Sequence, residues 1–92
     1  MYYILFYHTI DDYVEKRKPY RGEHIKLLKI ELQKKHVILG GALNDPADQA
    51  VIIWQVNDKK IIEDFVASDP YVKNGLISKY EIRSWNVVID NR

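Results

Sequence analysis

The order of strand-forming and helix-forming segments restricts the fold of this sequence more than any other feature. In chain order we predict a strand over 2–7, a helix over 19–35, strands over 37–39 and 50–56, a helix over 57–68 followed by one further turn over 71–74, and an extended segment over 76–89. The order β-α-β-β-α-β is typical of the ferredoxin-like α+β fold, a four-stranded antiparallel sheet with both helices on one face. We expect the 92 residues to form a single domain over 1–92.

Three of the predicted strands carry features that bear on their place in the sheet. The first strand, Tyr2–Tyr7, is apolar on both sides, which is typical of a central strand buried on both faces. The pair Gly40-Gly41 at the end of the second strand permits a bulge or a close backbone approach. The last strand changes its alternation phase, which predicts a bulge near Ser84.

The first helix places two chemically useful side chains near its inner face. We expect it to begin at Pro19, a favoured first helical residue, after a loop over 9–18. Its apolar stripe is formed by Ile25, Leu28 and Leu32. At about 100° per residue, Arg21 lies in line with this stripe and His24 lies along one margin. Both side chains are therefore expected to point partly inward.

The second helix is interrupted by Ser68-Asp69-Pro70, because a residue before proline is disfavoured in the helical conformation. Asp69 is expected to cap the next helical turn, with Pro70 as its first residue. That turn carries Tyr71 and ends at Gly75. A capping role for Asp69 leaves its carboxylate free to meet other side chains.

The sheet face opposite the helices has no covering element in this topology. Apolar residues of the first and third strands point to that face as well as to the helices. An exposed apolar face of this size is rare on a monomer, so we expect a twofold homodimer that packs sheet against sheet.

Composition excludes several classes of function. The 14 Lys and Arg residues nearly balance the 13 Asp and Glu residues, which argues against a nucleic-acid or acidic-membrane partner. No apolar run is long enough for a membrane span, and the start of the chain lacks the order of a signal peptide, so we expect a cytoplasmic protein. The chain has no cysteine, and Gly40-Gly41 lacks the pattern of a phosphate loop, so we predict no cofactor.

Three histidines and several carboxylates raise the question of a metal site. Their spacing does not match a known ligand pattern closely enough to predict a metal. His36 follows two lysines at a helix–strand junction, where a surface position is expected. His8 follows the first strand, whose end lies beside the start of the first helix in this topology. His8 is therefore a candidate to line the same pocket as His24.

A series of short motifs spans nearly the whole chain. It consists of an aromatic first strand and then, in order, of Arg21-x-x-His24-x-x-x-Leu28, Gly40-Gly41, Asp69-Pro70-Tyr71, Gly75-Leu76 and Trp85. With this series the chain resembles the YCII-related family, a branch of the dimeric α+β barrel superfamily. The resemblance implies a pocket beside the sheet that holds a His–Asp pair, at His24 and Asp69 here. Relatives include muconolactone isomerase-like and chloromuconolactone dehalogenase-like enzymes, which implies proton-transfer isomerisation or elimination on a small carboxylated ring.

Physical chemistry supports the same pair independently of the family. A carboxylate that accepts a hydrogen bond from one imidazole nitrogen fixes the tautomer and leaves the other nitrogen free as a base. Arg21 can bind a substrate carboxylate in bidentate fashion, and Tyr71 can donate a hydrogen bond through its hydroxyl. The favoured hypothesis is an isomerase or lyase acting on a small anionic metabolite. The alternative is a non-catalytic dimeric module that binds a small ligand or supports assembly.

Overall fold

The computed structural model describes all 92 residues and contains four strands and four helices. The elements are β1 (Tyr2–Thr9), α1 (Tyr13–Lys16), α2 (Arg21–Gln33), β2 (Val37–Ala42), β3 (Gln49–Gln55), α3 (Lys60–Ser68), α4 (Pro70–Lys73) and β4 (Ile77–Trp85). The strands form one antiparallel sheet in the order β2-β3-β1-β4. This is the ferredoxin-like α+β arrangement, so the predicted fold class is confirmed. None of the helices is both long and apolar enough to span a membrane.

The core lies between the helices and one face of the sheet. Alternating residues of the two central strands, such as Leu5 and Trp54, are fully buried there. Helix α3 covers them with Ile62 and Phe65, which belong to the apolar stripe predicted for this helix. Leu28 of α2 packs against the same cluster. Both long helices therefore occupy one face of the sheet, as the element order predicts.

The connection between β1 and α2 differs from the predicted loop. It contains the short helix α1, whose Tyr13 is only 4% exposed. Helix α2 begins at Arg21 and not at Pro19, because Pro19 lies in the turn between the two helices. The prediction of a helix starting at Pro19 was therefore wrong by two positions. The helical turn upstream is stabilised by burial of a single aromatic ring.

The inner face of α2 is rotated relative to the predicted stripe. Leu32, assigned to that stripe, is 48% exposed, whereas His24, assigned to its margin, is the buried residue of this helix. Leu27 and Leu28 contact the core, one helical turn after His24. The rotation turns the imidazole toward the sheet.

The predicted bulge near Ser84 is absent. Ser84 and Trp85 pair in regular register with Tyr3 and Tyr2, and the irregularity of this strand pair lies between His8 and Thr9. The change of alternation phase falls at the end of the strand, because β4 stops at Trp85 and does not extend to residue 89, so Val87 and Ile89 lie beyond it. A bulge does occur in β2, before Gly40. At Gly40 a Cβ atom would lie 3.2 Å from the Ile52 side chain, so the close approach predicted for this pair is also found.

Candidate active site

Asp69 occupies the junction between α3 and α4. Its side chain is completely buried, with 0% exposure. Its backbone is extended, and its carboxylate accepts a hydrogen bond of 3.0 Å from the Tyr71 N–H, with Pro70 as the first residue of α4. This is the N-cap that the Asp-Pro sequence predicts, so that prediction is confirmed. The cap fixes the orientation of the carboxylate relative to the sheet.

The same carboxylate accepts hydrogen bonds from two further side chains. The Tyr7 hydroxyl donates to Oδ2 at 2.8 Å, from the central strand β1. His24 Nδ1 lies 2.8 Å from Oδ1, from helix α2. Asp69 therefore joins three elements through three donors, and the structure brings the predicted pair His24 and Asp69 within hydrogen-bond distance.

Three donors around one carboxylate determine the position of the imidazole proton. A carboxylate can only accept hydrogen bonds, and both Asp69 oxygens accept one from Tyr7 or Tyr71, so the contact with His24 assigns the donated proton to Nδ1. The neutral imidazole then has its lone pair on Nε2. His24 Nε2 has no hydrogen-bond partner in the chain and is not among the fully buried polar atoms. A free basic nitrogen is thus available for a ligand.

Aromatic rings hold the imidazole in this orientation. The Tyr71 ring is stacked on His24, with centroids 3.8 Å apart and an angle of 8° between the planes. Phe65 packs at a centroid distance of 6.4 Å with its plane inclined by 60°. His24 is only 9% exposed, so stacking and the hydrogen bond to Asp69 together restrict its rotation. The imidazole is preorganised before any ligand binds.

His24 opens onto a cavity of about 140 Å³ between α2, α4 and the sheet. Its lining consists of Tyr7, Tyr13, Arg17, Arg21, His24, Ile25, Leu28, Gly40, Gly41, Ala42, Ala50, Ile52 and Tyr71. The lining includes no carboxylate, and its permanently charged groups are the guanidinium groups of Arg17 and Arg21. The cavity is therefore small, mostly apolar and electropositive.

Two of the predicted substrate-binding residues line this cavity and the third does not. Arg21 and Tyr71 are in the lining with His24. His8 lies outside it, where its Nε2 is 3.2 Å from Glu81 of β4. Side chains alternate along a strand, so His8 points to the face opposite Tyr7. The prediction that His8 shares the pocket was therefore wrong.

Three further residues of the site were not predicted from the sequence. Tyr7 and Tyr13 were assigned no site role, and Arg17 fell in a segment predicted to be a loop. A buried tyrosine hydroxyl needs a hydrogen-bond partner, and this was the signal that could have linked Tyr7 to a buried carboxylate.

Burial changes the acidity of the tyrosines around the site. Desolvation raises the pKa of Tyr71 to about 12, with a smaller contribution from Tyr13. Desolvation also raises the pKa of Tyr7 far above its usual range, and the neighbouring Asp69 charge adds to the effect. Burial raises the pKa of Tyr13 as well, although the Arg17 guanidinium counteracts part of this rise. All three phenols are therefore protonated near neutral pH and can act as hydrogen-bond donors.

Comparison with known proteins identifies the family. A family model described as the YCII-related domain matches residues 1–86. The chain belongs to the YCII-related family. An uncharacterised protein of Haemophilus influenzae is 28% identical to this YCII-related protein over 98 residues, covering 96% of this chain and 99% of the relative.

Solved structures share the fold of this YCII-related protein at low sequence identity. The 5-chloro-2-hydroxyhydroquinone dehydrochlorinase of Burkholderia phenoliruptrix, solved in complex with 2,5-dihydroxybenzoquinone, superimposes with a TM-score of 0.79 at 17% identity, over 94% of each chain. A NIPSNAP family protein of Agrobacterium tumefaciens gives a TM-score of 0.60 at 16% identity, over 95% of this chain and 91% of its own. These similarities establish a shared fold.

Proposed function

We propose that this YCII-related protein is a small-molecule enzyme in which His24 and Asp69 transfer a proton during an isomerisation or elimination. The supporting observation is the 2.8 Å contact between His24 Nδ1 and Asp69, which leaves Nε2 unpartnered at the cavity. A histidine held in one tautomer by a buried carboxylate is suited to general acid–base catalysis near neutral pH. The proposed substrate is a small anionic metabolite.

The reaction would begin with proton abstraction from a carbon acid next to a carbonyl group. Nε2 of His24 takes the proton, and the electron pair of the C–H bond moves onto the carbonyl oxygen to form an enolate. The Asp69 carboxylate stabilises the imidazolium that results. In an isomerisation the imidazolium returns the proton to another carbon, whereas in an elimination the enolate expels a leaving group. A general base contributes roughly 10²–10⁴ in rate, which is sufficient for an activated carbon acid.

Arg21 and Tyr71 would position the substrate in this proposal. The Arg21 guanidinium offers the planar, bidentate geometry that suits a carboxylate or enolate oxygen. The Tyr71 hydroxyl has a raised pKa of about 12, so it remains a donor throughout the neutral range. Both residues line the cavity onto which Nε2 opens. An anionic substrate bound to them would lie next to the proposed base.

The dehydrochlorinase that shares this fold supports the proposal. Dehydrochlorination is an elimination, in which a proton and a chloride leave the substrate. The ligand in that structure, 2,5-dihydroxybenzoquinone, has a single ring with acidic hydroxyl groups. At 17% identity the similarity concerns the fold, so its substrate serves here as a probe.

The test combines turnover with the tautomer of His24. The wild-type protein would be incubated in D₂O with 5-chloro-2-hydroxyhydroquinone and with muconolactone, while chloride release and ¹H NMR spectra are followed. We expect turnover of at least one probe, and ¹⁵N shifts that show His24 protonated at Nδ1. Binding of 2,5-dihydroxybenzoquinone without turnover of either probe would favour the non-catalytic binding module. A neutral His24 protonated at Nε2 would contradict the assignment of the base.

We further propose that two copies of the chain dimerise through the open face of the sheet. Apolar residues on that face, including Ile4, Phe6, Val51 and Ile53, are only half-buried in one chain. Leu39, on the neighbouring strand β2, is 58% exposed. A second copy would remove this apolar surface from water and stabilise a small domain.

Ile53→Asp tests the dimer, because it would place an unpaired carboxylate in the proposed interface. We expect light scattering to give twice the chain mass of 10.9 kDa for the wild type and the single mass for the variant. The expected loss of dimer affinity is on the order of a hundredfold or more. Ile30→Asp is the matched control, since Ile30 is 41% exposed on α2. A monomeric wild type, or a dimeric Ile53→Asp variant with unchanged circular dichroism, would refute this interface.

A further inference from the structure

Arg17 is a half-buried cation of the cavity wall that has no acidic partner. It follows the last residue of α1 and lines the cavity together with Arg21. None of the ion pairs in the chain includes Arg17 or Arg21. The acid of α1, Glu15, accepts hydrogen bonds of 2.9 and 3.0 Å from Lys18. The Arg17 guanidinium is therefore available to a ligand.

Aromatic packing ties Arg17 to the proposed catalytic histidine. The Arg17 guanidinium carbon lies 5.2 Å from the centroid of the Tyr13 ring. Tyr13 meets Tyr71 edge to face, with centroids 5.7 Å apart, and Tyr71 is stacked on His24. A guanidinium carries five N–H donors, so its contacts with the single phenol of Tyr13 leave N–H groups available to a ligand. Arg17 is thus held in place by packing.

The charge and size of the cavity define the ligand that fits it. Arg17 and Arg21 supply two positive charges, while Asp69 is sealed from the cavity at 0% exposure. A partly buried cation gains most from an anion that replaces its lost hydration. The volume of about 140 Å³ is close to that of an engineered cavity of about 150 Å³ that binds benzene. One small ring or a short chain fills this space.

We infer that Arg17 is a second anion-binding residue and that the cavity takes a small dianion, with one acidic group on each guanidinium. This inference rests on the proposed function for the identity of the cavity as the substrate site. It gives α1 a role in ligand binding, because this helix places Arg17 at the cavity. It also predicts a preference for molecules with two acidic groups over those with one.

The experiment compares diacids with their monoamides by isothermal titration calorimetry. The probes are maleate and phthalate, together with maleamate and phthalamate, which replace one carboxylate by a neutral amide. We expect the wild type to bind at least one diacid about tenfold or more tightly than its monoamide. Arg17→Gln should weaken diacid binding by about 10- to 100-fold and abolish this preference. Arg17→Lys, which keeps the charge but not the planar fork, should retain part of the preference.

Lys26→Gln is the matched control, because it removes the same charge from an exposed position of α2 outside the cavity. Binding by this variant should equal that of the wild type. The inference fails if the wild type binds neither diacid, or if folded Arg17→Gln keeps the wild-type preference. His24→Gln separates the two proposals, because it should bind diacids with the wild-type preference although its proton transfer is lost. Wild-type protein that binds diacids but converts no substrate would overturn the proposed enzyme and leave the role of Arg17 supported.

Discussion

Replacement of His24 by glutamine is expected to lower the rate of proton transfer by about 10²–10⁴-fold while leaving the fold intact. Glutamine retains a hydrogen-bonding group near Asp69 but has no basic nitrogen to accept a proton from the substrate. Stacking on Tyr71 would be weakened, although the Asp69 bonds to Tyr7 and Tyr71 would remain. The measurement is kcat for whichever of 5-chloro-2-hydroxyhydroquinone or muconolactone the wild type converts.

His36→Gln provides the matched control for this variant. His36 lies 3.5 Å from Glu31 and outside the cavity, so its replacement removes an imidazole without affecting the site. We expect this variant to have the wild-type kcat. Equal turnover by wild type and His24→Gln, with matching circular dichroism spectra, would eliminate His24 as the base.

The contact between His24 and Asp69 was predictable because local rules fix much of each residue's position. An aspartate before proline caps the helix that follows it, which directs its carboxylate onto the N–H groups of the first helical turn. Helical periodicity places His24 near the inner face of α2, although the helix is rotated further inward than the apolar stripe indicated. The fold then packs α2 beside α4 on one face of the sheet.

The third member of the cluster, Tyr7, could not be assigned from the strand pattern, because β1 is apolar on both sides. In such a strand the alternation of side chains is uninformative, since inward and outward positions have the same chemistry. Tyr7 points to the helices and donates to Asp69, whereas His8 points to the open face and meets Glu81. Tyr7, which lies at the site, is therefore the immediate neighbour of His8, which the sequence predicted to lie there.

Helix α1 was not predicted, because its sequence also lacks an informative pattern. A four-residue helix is too short to show a helical period, and its burial depends on one ring, Tyr13. Tertiary contact with Tyr71 stabilises this turn and places Arg17 at the cavity. The chemistry of the cavity thus depends partly on a segment whose sequence resembles a polar loop.

Replacement of Asp69 by alanine is expected to destabilise the protein by about 3–5 kcal/mol, a large fraction of the stability of a small domain. Alanine leaves three donors unpaired, namely the Tyr7 hydroxyl, His24 Nδ1 and the backbone N–H of Tyr71, and all three residues are buried. Each buried group without a partner costs about 1–3 kcal/mol. The Tyr71 N–H, which loses its cap at the start of α4, is one of these groups. Chemical denaturation at equal protein concentration measures the free energy of unfolding, with the concentration held fixed because of the proposed dimer.

Asp69→Asn tests the contribution of the carboxylate charge separately from that of the helix cap. Asparagine caps helices about as well as aspartate, so the bond to the Tyr71 N–H should persist. Its amide has one oxygen, which cannot replace both carboxylate oxygens, so either Tyr7 or His24 must lose its acceptor. We therefore expect an intermediate loss of about 1–2 kcal/mol, together with ¹⁵N shifts showing less protonation of His24 at Nδ1. A loss below about 1 kcal/mol for Asp69→Ala would mean that the three donors find other partners, and Asp69 would then not be the residue that joins β1, α2 and α4.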